Sequence, residues 1–389
     1  MAVIGGIFDM DGELPSSSVM TQMSNAMLVR GGYGRGGYIN RGIGLFSGWG
    51  IADRERDRLF FASAERGGEN IVAVSDGEAG SKELGLWDSY SEKNATVSER
   101  IIERYMSFGA RLGESMEGDF SAALYDGGRS ELLLIRDRRG SRPLFYAKDK
   151  NKIAFASEIK GIARFVGCPL AVNVKHLNEH FFSAAPRSGI QIYRDIFEVP
   201  PSGGCICSAL GVNRFNYVPS VSSAVPSSPF EVLEGDTACP TAFELERMLT
   251  DILFAFDYPQ FDYLMPSFIR GLSLAKGKID PCGVAISDGS LYMDLAYSTE
   301  RRDRLCSYYG VYAECVPSEY EIRERELKQL EKALLQLLSG IDMSLCYRLF
   351  GKDVHELIAK EKSVPRRIRM EGMLYQAYLW NKHYSLIFI

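Results

Sequence analysis

The chain has 389 residues, 46% of them hydrophobic and 24% charged, with a formal net charge of −5. That is ordinary globular composition with room for two cores, and its acidic excess argues against nucleic acid as a partner, because a phosphate backbone demands a basic face. No apolar run approaches membrane-spanning length and no basic segment precedes the short apolar stretch at the N-terminus, so the expectation is no membrane span, no signal peptide and a cytoplasmic location.

In chain order, Val3–Phe8 reads as a buried strand, and Ser16–Ser18 as the cap of a helix through Met20, Met23 and Met27. Glycine is dense over 31–50, which suits turns and close strand approach. Thr96 and Glu99 form a capping box ahead of Ile101, Ile102, Tyr105 and Met106 at helical spacing. From Glu117 to Lys160 the chain reads as a ladder of strands. Phe120, Ala122 and Leu124 alternate, Asp126-Gly127-Gly128 turns, and Leu132–Ile135 is an apolar strand. Arg138–Ser141 turns again before Pro143–Tyr146, then Ile153–Ala156 leads into Ser157-Glu158 as a helix start. The spacing predicts a β-meander.

A strand-rich tail continues to about Tyr217, and the Ser/Pro/Val stretch Pro219–Pro229 has linker composition. Thr241 and Glu244 make a second capping box, opening a helix with Leu245, Met248, Leu249, Ile252 and Leu253 on one side. Gly283–Ser287 is a buried-strand candidate. Ser318 with Glu321 starts a long amphipathic helix that ends at Gly340, with Leu327, Leu330, Leu334 and Leu337 facing inward. The expected organisation is a domain over 1–218, a linker over 219–238 and a mainly helical domain over 239–389. Eight cysteines without regular spacing read as reduced thiols.

The residues carry more than their spacing. Arg136-Asp137, Gly140, Arg142-Pro143-Leu144 and Tyr146, followed by Phe155-Ala156-Ser157-Glu158-Ile159-Lys160, resemble the glutaminase domain of asparagine synthetase, whose signature is R-D-x-x-G-x-K/R-P-L-x-Y and then F-A-S-E-x-K. Ala2–Gly12 is similar to that family's opening, Val29–Gly32 stands where it has H-R-G-P, and Ile196–Gly203 resembles the exit of its glutaminase domain. Asp257-Tyr258-Pro259 with Asp262 and Pro266, and Ile286–Gly289 with Asp294 and Tyr297, resemble pieces of its synthetase domain. The resemblance implies an α+β fold: a four-layer αββα sandwich of the N-terminal-nucleophile type, then a smaller, mainly helical remnant of an α/β synthetase domain. The activity it implies is glutamine-dependent asparagine synthesis.

The same resemblance locates the chemistry and finds it altered. The family needs a thiol on the residue after the initiator Met, with that residue's α-amine as base; here the residue is Ala2. The arginine that holds the glutamine carboxylate comes in an R-L-x-I-x-D segment, and the match, Gly48–Asp53, begins with Gly48. The family's N-G-E is Asp76-Gly77-Glu78, which puts a carboxylate where an amide would support the developing oxyanion. The ammonium-binding aspartate of its S-D-x-E is Val97. Gly48, Asp76, Gly77, Glu78 and Val97 therefore form a vestigial glutamine pocket with no catalytic residue. The family's pyrophosphate loop, S-G-G-x-D-S, has no match after the linker. Ser202-Gly203-Gly204-Cys205 lacks its Asp-Ser, and Ser287, Asp288 and Gly289 are a vestigial nucleotide pocket. The expected function is a non-catalytic scaffold with an unknown protein partner, a homo-oligomer being one option, without cofactor or metal. The alternative is an ATP- and Mg-dependent amide-forming enzyme working without its own glutaminase.

Competing motifs are weaker. Phe8-Asp9-Met10-Asp11-Gly12 matches the nucleophile motif of haloacid-dehalogenase-like phosphatases, but no later lysine and paired aspartates follow. Gly32, Gly34 and Gly37 satisfy G-x-G-x-x-G after a helix rather than a strand. Gly277-Lys278 lacks the P-loop spacing. His176 and His180 are four apart without a third ligand and read as surface histidines. Arg301, Arg302, Arg304, Arg366 and Arg367 read as solvated helix faces.

Overall fold

The computed structural model describes residues 2–28, 34–49, 61–81, 95–138, 140, 142–166, 170–182, 191–217, 240–261, 265–266, 324–384 and 386–388. Two compact units result: Met1–Gly167 with Asp195–Ser223, and Cys168–Arg194 with Ala224–Ile389.

The first unit is built on two antiparallel six-stranded sheets. One contains β1 (Ala2–Asp9), β2 (Gly34–Asn40), β3 (Ile43–Trp49), β8 (Phe145–Asp149), β9 (Lys152–Ala156) and β11 (Ile196–Glu198), in the order β11-β8-β9-β1-β3-β2. The other contains β4 (Phe61–Arg66), β5 (Glu69–Ser81), β6 (Met116–Asp126), β7 (Glu131–Arg136), β12 (Gly203–Ser208) and β13 (Gly211–Asn216), in the order β13-β12-β7-β6-β5-β4. Alternate residues of both sheets, among them Ile4, Phe8, Ile43, Leu45, Val72, Val74, Leu134 and Phe155, form one buried core between them.

Helices cover the outer faces. On the first sheet lie α1 (Ser17–Ala26), capped by Ser16, and α3 (Ile159–Val166). The fit is close: a side chain at Gly44 of β3 would stand 2.2 Å from the Met20 sulfur. On the second lies α2 (Val97–Phe108), whose capping box makes both of its bonds. Its Ile101, Ile102 and Tyr105 pack on Ile71, Ala73 and Leu124 in a second core. The layer order is αββα, and the fold class is α+β, as expected.

The ladder from Glu117 to Lys160 is not one meander. β6 and β7 are a hairpin of the second sheet, whereas β8 and β9 are a hairpin of the first. Spacing registers a hairpin but not which sheet receives it, and the segment after Arg136 crosses the sandwich.

The second unit is helical. It comprises α4 (Val174–Phe182), α5 (Ala242–Phe256), α6 (Glu324–Leu338), α7 (Ser344–Phe350), α8 (Val354–Lys360) and α9 (Val364–His383), with a short parallel pair, β10 (Leu170–Val172) and β14 (Leu386–Phe388). α9 is its axis, buried without interruption from Ile368 to Ala377, including Arg369, Glu371 and Gln376, and packs on α5 and α6. On α6, Leu330 and Leu334 are buried while Leu327 and Leu337 are half-buried.

Residues 168–194 belong to this unit, not to the domain expected over 1–218. Arg369 of α9 donates to the carbonyls of His180 (2.9 Å) and Phe181 (3.2 Å), the last turn of α4. Asn178 donates to Leu349 O at 2.8 Å and Trp380 Nε1 to the Tyr193 hydroxyl at 2.9 Å. The linker at 219–238, the Gly283–Ser287 strand and the Ser318 helix start lie outside the described residues. No described helix is long and apolar enough to cross a membrane.

Candidate functional site

Strand parity decides which side chains meet. Ile4 and Phe8 of β1 face the core between the sheets, so Ala2 does too; Val72 and Val74 of β5 do the same for Asp76. At this end of the sandwich the two strands touch. The Ala2 N–H donates to a carboxylate oxygen of Asp76 at 3.0 Å, with both residues wholly buried.

Gly77 follows, at a φ of +107°. A Cβ there would stand 1.9 Å from the Asp119 carbonyl oxygen and 3.1 Å from Nε of Arg142, so only glycine fits. Two hydroxyls that spacing did not flag complete the surroundings. Ser121 is the register partner of Asp76 on β6, and Ser47 that of Ile4 on β3. Both Oγ atoms are buried without a hydrogen-bond partner among the described residues. Arg142, read from sequence only as part of the signature, is buried beside Gly77.

The other sequence-selected pocket positions fall elsewhere. Gly48 pairs with Val3, and by parity it shares the outer, helix-covered face of its sheet with Gly44 and Phe46. Val97 opens α2 and packs in the core between that helix and the second sheet. Beside it, the Ser98 and Ser75 hydroxyls bond at 2.8 Å. The backbone of Glu78 pairs with Asp119 on β6. Thus Ala2, Asp76 and Gly77 come together, whereas Gly48 and Val97 sit on opposite outer faces. Ser287, Asp288 and Gly289 lie outside the described residues.

The signature itself is framework. Arg136, fully buried, donates from Nε to Arg142 O (2.8 Å), from Nη1 to Val199 O (2.8 Å) and to Glu198 Oε1 (2.9 Å), and from Nη2 to Gly140 O. It thereby fixes the crossing between the sheets. Asp137 accepts the Phe120 N–H at 3.2 Å. The Tyr146 ring stacks on Phe197 at 5.5 Å and its hydroxyl accepts from Arg214 at 2.7 Å; burial pushes its ionisation up to about 12. Ser157 ties in the site strand: its Oγ accepts from Ile4 N, and its N–H donates to Ile4 O, both at 2.9 Å.

Two sequence readings need correction. His180 is not a surface histidine: it is buried, edge-on to Tyr258 with ring centroids 5.9 Å apart, because α4 turns that face into the core of the second unit. Arg367 is not on a solvated face either; it pairs with Glu331 of α6 at 2.5 Å, in the seam with α9. Among the described residues no group of three His, Cys, Asp or Glu side chains is placed to hold a metal ion. Asp9, the phosphatase-like aspartate, is buried, pairs with Lys152 at 3.0 Å and accepts the Asp11 N–H at 3.0 Å. Cys205 and Cys207 are buried thiols whose ionisation burial pushes up, to about 11 for Cys205, so neither is a ready nucleophile.

Comparison with known proteins places the chain. Residues 86–218 match a family described as a glutamine amidotransferase domain. β1 and β5 precede that match and are tied to it by their pairing with β9 and β6. Asparagine synthetase [glutamine-hydrolyzing] 2 of Bacillus subtilis is 34% identical over 108 residues, covering 27% of this chain and 14% of that protein. Asparagine synthetase [glutamine-hydrolyzing] 3 of the same organism is 30% identical over 121 residues, covering 31% and 20%. The matches thus span a fifth or less of those two synthetases. The solved glutamine phosphoribosylpyrophosphate amidotransferase from B. subtilis, complexed with ADP and GMP, aligns with 80% of this chain and 64% of its own at a TM-score of 0.35 and 10% identity, a likeness too slight to add to the topology above. The signature, the αββα layers and the family match agree: residues 86–218 carry a glutamine amidotransferase domain, similar to part of the asparagine synthetases.

Proposed function

We propose that this asparagine-synthetase-like protein does not hydrolyse glutamine and acts as a non-catalytic scaffold or binding partner. The observation that carries the reading is the buried contact between Ala2 and Asp76, 3.0 Å from N to Oδ1. The position that the resemblance assigns to the nucleophile holds a methyl group, which has no lone pair for attack on an amide. The position assigned to the oxyanion donor holds a carboxylate already engaged by the Ala2 N–H. A carboxylate there opposes negative charge developing on a carbonyl oxygen, where loss of one donor alone costs about 10²–10³ in rate.

The test is glutamine hydrolysis by the protein and by Ala2→Cys, followed as released glutamate. Neither should turn over, and hydrolysis above background by either overturns the reading. Calorimetry with ATP and Mg²⁺ at millimolar concentration separates the scaffold from an amide-forming enzyme that takes ammonia or a peptide amine. The scaffold reading expects no heat of binding, and saturable binding favours the enzyme.

A further inference from the structure

We propose that Glu371 is a pH-responsive latch in the seam between α6 and α9: neutral, it lets the helices pack, and ionised, it loosens them. The seam is internal to the second unit, and the inference is independent of the glutaminase reading.

Glu371 is 4% exposed, and its Oε2 is fully buried with no hydrogen-bond partner among the described residues. The cations around it are engaged elsewhere. Arg367, one turn earlier on α9, is held by Glu331 of α6 and also donates to Glu361 O at 3.0 Å. Arg366 pairs with Glu361, just past α8, at 3.3 Å and donates to Phe182 O, at the end of α4, at 3.0 Å. Elements packed on α9 carry Glu246 on α5, which accepts from Tyr375 at 2.8 Å, the buried His180 on α4 and the exposed Arg348 on α7, and on α9 itself the buried Arg369 donates to the His180 and Phe181 carbonyls. Two arginines thus face Glu331 and Glu361, and the buried Oε2 of Glu371 is left without a donor of its own among the described residues.

The electrostatics agree with this placement. Burial first, and the Glu331 carboxylate second, push Glu371 up from 4.5 to about 7, against the opposing pull of Arg367. A folded-state value above the unfolded one means that the folded protein holds a proton that the unfolded chain releases. The stability this confers is therefore complete below about 4.5 and is lost as pH rises through about 7.

The experiment is thermal unfolding of the full chain from about pH 5 to about pH 8, wild type beside Glu371→Gln, which keeps the shape and cannot ionise. The wild-type midpoint should fall relative to the variant across that window, with the variant the more stable at the alkaline end. Parallel curves overturn the proposal. Glu331→Gln is the second variant: it removes the like charge and releases Arg367 towards Glu371, so the wild-type loss should move to lower pH. A loss left in place by Glu331→Gln overturns the proposal even if Glu371→Gln does not fold.

Discussion

Two neighbouring sites in the same sandwich, in one register row through Asp76, Ser121 and Arg136, treat buried charge in opposite ways. At the crossing from β7 to β8, Arg136 is fully buried, and three main-chain carbonyls and Glu198 take up its donors. Where β1 meets β5, Asp76 is equally buried and its carboxylate accepts a backbone N–H from the strand opposite, at 3.0 Å. The first arrangement is one that the fold needs whatever chemistry it hosts. The second occupies the place that the resemblance assigns to chemistry, with Ala2 and Asp76 in contact there. Framework and candidate site thus answer to different constraints: the signature reports the first, and only the pocket residues report the second.

The largest effect should come from the framework. Arg136→Ala leaves the carbonyls of Arg142, Gly140 and Val199 without their donor and Glu198 without its cation. Removing one partner of such a buried pair costs about 3–5 kcal/mol, a large share of a domain's stability. Urea unfolding should show this loss or an unfolded protein. A change below about 1 kcal/mol would remove the distinction between framework and site.

Gly77→Ala should come next. The added methyl meets the Asp119 carbonyl at 1.9 Å and the backbone is held at a φ of +107°. Strain of this kind costs about 1–3 kcal/mol before the clash is counted. The denaturant midpoint should drop with the slope unchanged. A neutral result would mean that β5 relaxes away from β6 at this point.

What the sequence revealed was local. The capping boxes at Thr96 and Thr241 were legible because both partners lie within four residues and the bonds are intrinsic to a helix start. Four strands were legible over Glu117–Lys160, but they read as one meander, since their division between sheets depends on Arg136 bonding Val199, 63 residues on. The capture of α4 by the second unit depends on Arg369, 189 residues from His180. In the site, Ala2, Gly48, Asp76 and Val97 were each found as departures from a family pattern. Their grouping needed strand parity in three dimensions, which keeps Ala2 with Asp76 and sends Gly48 and Val97 to the outer faces. Ser47 and Ser121 carried no signal, since a lone serine in a strand has no spacing to read.

Within the helix layer, Thr96→Ala removes the side-chain half of the α2 capping box, the 3.1 Å bond from Glu99 N. The expected loss is about 1 kcal/mol, read as a shift in the urea midpoint. Restoring the cap with Ser should recover most of it. Equal behaviour of Ala and Ser would mean that packing of Ile101 and Tyr105 alone holds the helix start.

The smallest effect should be that of Asp76→Asn in the site. Asp76→Asn keeps an oxygen that accepts the Ala2 N–H and removes the charge, so stability should change by less than about 1 kcal/mol. Asp76→Leu has the same reach without an acceptor and strands the buried N–H, at a cost of about 1–3 kcal/mol. The contrast between the two variants isolates the hydrogen bond from the charge. Asn is also the residue of the family's pattern, so glutamine hydrolysis can be assayed on the same variant. No turnover is expected, because an oxyanion donor has nothing to stabilise while the attacking position is Ala2. If Asn were instead no better tolerated than Leu, the charge of Asp76 would matter to the folded state, and this site would depend on its buried ion just as the crossing depends on Arg136.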